Sequence, residues 1–227
     1  MSWFTNAISS TLGRKLLMAL TGLFLIIFLV VHLIGNFQLL HHDDGQAFNV
    51  YASFMTSNPL IKTTSYLLYA TFIIHIVWAI MLTVHNKKAR PVGYAVSRSS
   101  TNSTWSSRNM GLLGTIIFIF LVIHLKNFWY AMHWGPIPSV SYDGESYRNL
   151  YDVTSKAFSV WYIVVFYVAS MIALMFHLYH GFSSAFQTLG LNHPKYNPLI
   201  KGVGYAFAII VPALFAAIPI IMFYQSM

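Results

Sequence analysis

Five uncrossed runs of about 20 or more apolar residues dominate this chain and leave it few ways to fold. A helix needs about 20 such residues to cross a hydrocarbon core roughly 30 Å thick. Spans are expected at about residues 16–40, 63–84, 110–132, 158–186 and 203–224. The fourth is long enough to tilt or protrude. The fifth holds Pro212 and Pro219, which transmembrane helices tolerate with kinks. Only 8% of the 227 residues are charged and 57% are hydrophobic, whereas a soluble domain carries about 25% charge. The expected fold is therefore all-α: one integral membrane bundle of five transmembrane helices over residues 1–227.

The charges orient the bundle. The formal net charge of +8 does not point to nucleic acid, because the bases are few and scattered between apolar runs. Arg14 and Lys15 precede the first span. Lys87, Lys88, Arg90, Arg98 and Arg108 lie between the second and third, and Lys195 and Lys201 between the fourth and fifth. These nine fall on one side. The other side holds Lys62, Lys126, Arg148 and Lys156 with every acid in the chain: Asp43, Asp44, Asp143, Glu145 and Asp152. Basic excess marks the cytoplasmic side, so the N-terminus is expected inside and the C-terminus outside. Trp129, Trp134 and Trp161 fall near the outer boundary and Trp105 near the inner one, as in aromatic belts. Residues 87–109 read as a cytoplasmic loop. Residues 38–60 and 133–155 read as outer loops with room for short interfacial helices. The first residues show no charged leader or cleavage site, so the first span is expected to stay in place.

The chain has no cysteine, which excludes disulfides, thiolate-bound iron–sulfur clusters and covalently attached haem within it. It has ten histidines. His41, His42, His85, His133 and His193 fall in loops or at interfaces and read as solvated surface. His32, His75, His124, His177 and His180 fall inside spans, where an ionisable side chain points to function. The segments 26–33 and 118–125 match at six of eight positions, His32 aligning with His124, and a glycine, Gly22 or Gly114, stands ten residues before each.

Depth sorts the histidines into pairs. At about 1.5 Å per residue, His32 lies about 26 Å beyond Lys15 and His124 about 24 Å beyond Arg108, both towards the outer face. His75 lies about 18 Å from Lys87 and His180 about 15 Å from Gly190, both nearer the cytoplasm. Two pairs at two depths suit two haems, each held by two imidazoles. Neutral imidazole is a usual axial ligand, and two of them leave no open position for oxygen or substrate. Such a centre transfers electrons only. Depth does not choose between His177 and His180, which are i, i+3 neighbours. Gly22, Gly35, Gly111, Gly114 and Gly181 would let a flat macrocycle approach the backbone, although small residues also let helices pack. Arg14, Lys15, Arg108 and Lys126 are candidate partners for haem propionates, with topology charges as the plainer account.

The chain resembles the cytochrome b membrane anchor of succinate dehydrogenases and fumarate reductases, in its single-subunit, two-haem type. Gly13-Arg14-Lys15, then Met18-Ala19-Leu20-Thr21-Gly22-Leu23 and His32, is similar to that family's first helix. Ile73-Ile74-His75 resembles the second, His124-Leu125 the third and His180-Gly181 the fourth. The resemblance covers nearly the whole chain. It implies haem ligation by His32 with His124 and by His75 with His180. It also implies an FAD-containing flavoprotein and an iron–sulfur subunit on the cytoplasmic face, a quinone substrate of the menaquinone kind, and residence in a bacterial cytoplasmic membrane. Dehydrogenation would belong to the partners. Some members carry a glutamate two residues before the fourth-helix ligand; here that position is Leu178, so a proton route through it has no carrier. Asn36, Gln38 and His41 could offer hydrogen bonds to a quinone head, or be ordinary interfacial residues. The alternatives are a cytochrome b subunit of a hydrogenase or formate dehydrogenase, and a proton or metal transporter with intramembrane histidines. The repeat joins helices of the same direction, which argues against the inverted repeats of transporters.

Overall fold

The structure, a computed structural model, describes residues 10–88 and 103–227. Arg90, Arg98 and most of the expected cytoplasmic loop lie outside the described residues, as does the start of the chain. Five helices are long and apolar enough to cross a membrane: Thr11–Leu40, Pro59–Lys88, Met110–Trp134, Trp161–Thr188 and Asn197–Gln225. The all-α membrane bundle expected from the sequence is thus the observed architecture.

In chain order the elements are α1 (Thr11–Asn36), a 3-10 turn (Phe37–Leu40), α2 (Gln46–Ser57), α3 (Pro59–Lys88), α4 (Trp105–Arg108) and α5 (Met110–His124). A π-turn (Leu125–Tyr130) leads to α6 (Ala131–Trp134), β1 (Ser139–Tyr142), β2 (Glu145–Arg148), α7 (Leu150–Phe158), α8 (Trp161–Thr188) and α9 (Asn197–Gln225).

Local chemistry sets the helix ends. The Asn58 carboxamide accepts from the amides of Leu60 (3.0 Å) and Ile61 (3.2 Å), and Pro59 takes the first position of α3, where no amide proton is needed. His85, Lys87 and Lys88 close α3 at its negative dipole end. Within the spans, Thr71, Thr83 and Ser170 donate to the carbonyls four residues back at 2.7–2.8 Å, so no hydroxyl among these three faces hydrocarbon unpaired. Helices α8 and α9 each bury 33% of their most apolar window inside the protein, against 6–11% for the other spans. They therefore carry most of the interior surface. On α9 the buried residues Ala208, Val211, Ile218 and Met222 recur at helical spacing, with Pro212 buried beside them. Leu20, Ile27 and Ile34 form an exposed stripe on α1, as lipid contact requires.

The chain divides into two compact units. The first comprises residues 1–28, 67–114 and 175–209; the second comprises 29–66, 115–174 and 210–227. Of the described bases, the first unit holds Arg14, Lys15, Lys87, Lys88, Arg108, Lys195 and Lys201, and none of the five acids. The acids all lie in the second unit.

The second unit contains a small cap built from α2, the β1–β2 hairpin and α7. Residues 38–60 and 133–155, expected as outer loops, carry regular structure: a helix in the first, a hairpin and the start of a helix in the second. Strands β1 and β2 pair antiparallel, with Ser139 opposite Arg148 and Tyr142 opposite Glu145. Asp143 (φ 52°) and Gly144 (φ 83°) both take positive φ between them, as a tight primed hairpin turn demands. The Asp143-Gly144 dipeptide was a readable hairpin signal. Asp43 starts α2 by accepting from the amides of Gly45 (3.1 Å) and Ala47 (2.9 Å). Gly45 has φ 82°, and a Cβ there would lie 2.1 Å from the Tyr151 ring, so no other residue fits. Asn49 is fully buried and ties the cap together. Its Nδ2 donates to Tyr142 Oη and Asn149 Oδ1, both at 3.0 Å, and its Oδ1 accepts from the Tyr151 amide at 2.9 Å. Arg148 donates to the carbonyls of Ala131 (3.0 Å) and Gly135 (2.6 Å), closing the C-terminus of α6.

Candidate functional site: two intramembrane histidine clusters

Each unit contains a close pair of intramembrane histidines. In the second unit the rings of His32 (α1) and His124 (α5) have centroids 5.8 Å apart and stand nearly perpendicular, at 87°. Aromatic side chains surround them. Phe215 lies 5.7 Å from His32, Phe120 stacks on His124 at 5.4 Å, and Phe128 meets its edge at 5.4 Å. Two polar groups reach the rings. Tyr167, itself buried, places its hydroxyl 3.4 Å from His124 Nδ1. Asn36 Nδ2 donates to the His32 carbonyl at 2.7 Å and lies 3.4 Å from both ring nitrogens. The π-turn begins at the residue after His124. Such turns are rare and cluster at functional sites.

In the first unit His75 (α3) faces His177 (α8), with centroids 6.3 Å apart and planes at 64°. Thr21 Oγ1 lies 3.0 Å from His75 Nδ1. That hydroxyl has one proton, and its 2.7 Å contact to the Leu17 carbonyl consumes it. It therefore accepts from the His75 Nδ1–H, which leaves Nε2 with a free lone pair. A hydrogen bond of this kind fixes the tautomer of an imidazole and leaves its other nitrogen able to bind a metal. His180 sits one turn beyond His177, and no hydrogen bond or ring contact of its side chain occurs among the described residues.

Three polar atoms in this unit are buried with no partner among the described residues: Trp78 Nε1, His177 Nδ1 and Ser183 Oγ. An orphan of this kind costs about 1–3 kcal/mol, so three in one unit call for partners that the described residues do not supply. Gly114 and Gly181 have open space where a side chain would stand. Gly35 does not: the Tyr51 ring occupies that space, 2.5 Å from where a Cβ would be. Gly35 serves helix packing rather than the macrocycle approach its sequence position had suggested.

Paired imidazoles are a donor set that haem would accept, and the two rings of each pair lie close, with centroids 5.8 and 6.3 Å apart. No three His, Cys, Asp or Glu side chains converge among the described residues, so an ion held by either pair takes its remaining ligands from elsewhere. A porphyrin would supply them.

The candidate propionate partners are placed as follows. Arg14 and Lys15 stand in the first turns of α1 and Lys126 in the π-turn after His124; Lys15 and Lys126 are exposed. None of these three forms an ion pair among the described residues. Arg108 closes α4 and donates to the Ser103 carbonyl and, at 3.4 Å, to its hydroxyl. Gln38 lines an open cavity of about 660 Å³ in the second unit with Asp43, Gln46, Ala47, Val50, Tyr51 and Phe54. Asn36 is instead engaged with His32.

Sequence reasoning found the intramembrane histidines but not Thr21 or Tyr167, which lie 54 and 43 residues from the rings they meet. No local pattern announces contacts at such separations. Comparison with protein-family models, with curated proteins and with solved structures finds no match to this chain.

Proposed function

We propose that this chain is the di-haem membrane anchor of a succinate:quinone oxidoreductase, carrying electrons between an iron–sulfur partner and a membrane quinone. The observation that carries the reading is a pair of facing intramembrane histidines in each unit, with no third protein ligand among the described residues. Held by two imidazoles, a haem would supply one-electron transfer and would offer no position to substrate. The chain's own residues do the rest. His32 and His124 hold one centre. His75 and a histidine of α8, which the resemblance gives as His180, hold the other. Thr21 fixes the His75 tautomer, and Phe120, Phe128 and Phe215 keep water from the second-unit pair.

The assignment to succinate rather than to another donor rests on the resemblance of the four histidine-bearing helices. Oxidation of succinate to fumarate in a flavoprotein partner releases two electrons and two protons, and reduction of a quinone to its quinol consumes two of each. The partners dock on the basic face, which the charge rule makes cytoplasmic in a bacterial inner membrane. The cavity at Gln38, Gln46 and Tyr51 offers amide and hydroxyl donors to a quinone carbonyl, with Val50 and Phe54 as its apolar flank.

A reduced-minus-oxidised visible spectrum of the detergent-purified chain, with haem quantified per chain, tests the reading. Two low-spin b haems are expected. A folded chain that binds none when supplied with haem would remove electron transfer and bring a transporter or a purely structural anchor forward.

A further inference from the structure

We propose that His177, rather than His180, is the α8 residue that completes the first-unit haem centre with His75. The proposal rests on the di-haem reading and settles a choice that depth along the helix leaves open.

Three observations carry it. First, the His177 ring is the one that faces His75, at 6.3 Å between centroids, while His180 makes no ring contact among the described residues. Residues three apart on a helix are turned about 60° from one another. If His177 aims at His75, His180 on the same straight helix aims off to one side. Second, His177 Nδ1 is buried with no hydrogen-bond partner among the described residues, although a buried imidazole normally satisfies both nitrogens. Third, His75 is already prepared as a ligand: Thr21 takes its Nδ1–H and leaves Nε2 free. Of the two α8 histidines, His177 is the one whose ring meets the His75 ring.

The test uses the full chain in detergent and four variants: His177→Ala, His180→Ala, His177→Met and His180→Met. Haem per chain is measured in each, and axial ligation is read by near-infrared magnetic circular dichroism. His177→Ala is expected to fall from two haems per chain to one, while His180→Ala keeps two. His177→Met is expected to show histidine–methionine ligation at one centre, a positive signature that general misfolding cannot produce. A histidine–methionine signature in His180→Met, or two unaltered bis-imidazole haems in His177→Met, would overturn the assignment. Should both alanine variants lose a haem, the methionine pair decides. A wild-type chain without haem would refute the di-haem reading itself, an outcome visible before any variant is made.

Discussion

The hydroxyl of Thr21 shows how much a single residue can decide inside a membrane. Its proton is spent on the Leu17 carbonyl, so it can only accept from His75, and a neutral imidazole with one nitrogen proton presents the other to a metal. Thr21→Val keeps the shape and removes the acceptor. On the proposed di-haem reading, the first-unit centre should then hold haem about 10- to 100-fold more weakly. Transfer of haem to an excess of an apo-haem protein measures this, and unchanged retention would show that Thr21 plays no positioning part. Thr21 appeared in the sequence only as part of an apolar-flanked stretch that resembles a family motif. Its partner lies 54 residues away, on another helix, and contact at that separation is a product of packing.

At the scale of elements, the cap of α2, hairpin and α7 depends on few groups. Asn49 uses both amide protons and its oxygen on Tyr142, Asn149 and the Tyr151 amide while wholly buried. Asn49→Ala would leave those partners unsatisfied and should cost about 2–3 kcal/mol. Thermal unfolding of the purified chain, with limited proteolysis at the hairpin, reads the loss; an unchanged melting profile would argue against it. The hairpin itself was legible from Asp143-Gly144 flanked by Val140, Tyr142 and Tyr147, a pattern overshadowed by the polar character of residues 133–155. The Asn49 network was not legible. An asparagine in a polar segment gives no sign that it will be buried.

For the whole molecule, the separation of charge is the governing feature. Every acid lies in the second unit and most bases in the first, so the positive-inside rule makes a definite claim about orientation. Because the chain has no native cysteine, single substitutions report it cleanly. Asp143→Cys should react with a membrane-impermeant maleimide in intact cells, and Ser107→Cys only after permeabilisation. The reverse pattern would invert the topology and move the proposed docking face to the other side.

The sequence by itself determined that this chain enters a membrane, how many times it crosses and where its charges lie. Each of those outcomes follows from the transfer free energy of about 20 consecutive residues or from the charges flanking them, and both are local quantities. It also singled out the spans that carry histidines, because a polar ring in hydrocarbon is conspicuous by composition alone. Only the tertiary structure decided that His177 rather than His180 turns towards His75, that Tyr51 fills the space at Gly35, and that Thr21 and Tyr167 reach the rings. Those outcomes depend on the rotation of each helix about its axis. That rotation is set by side chains far apart in the chain packing against one another, and no single segment encodes it.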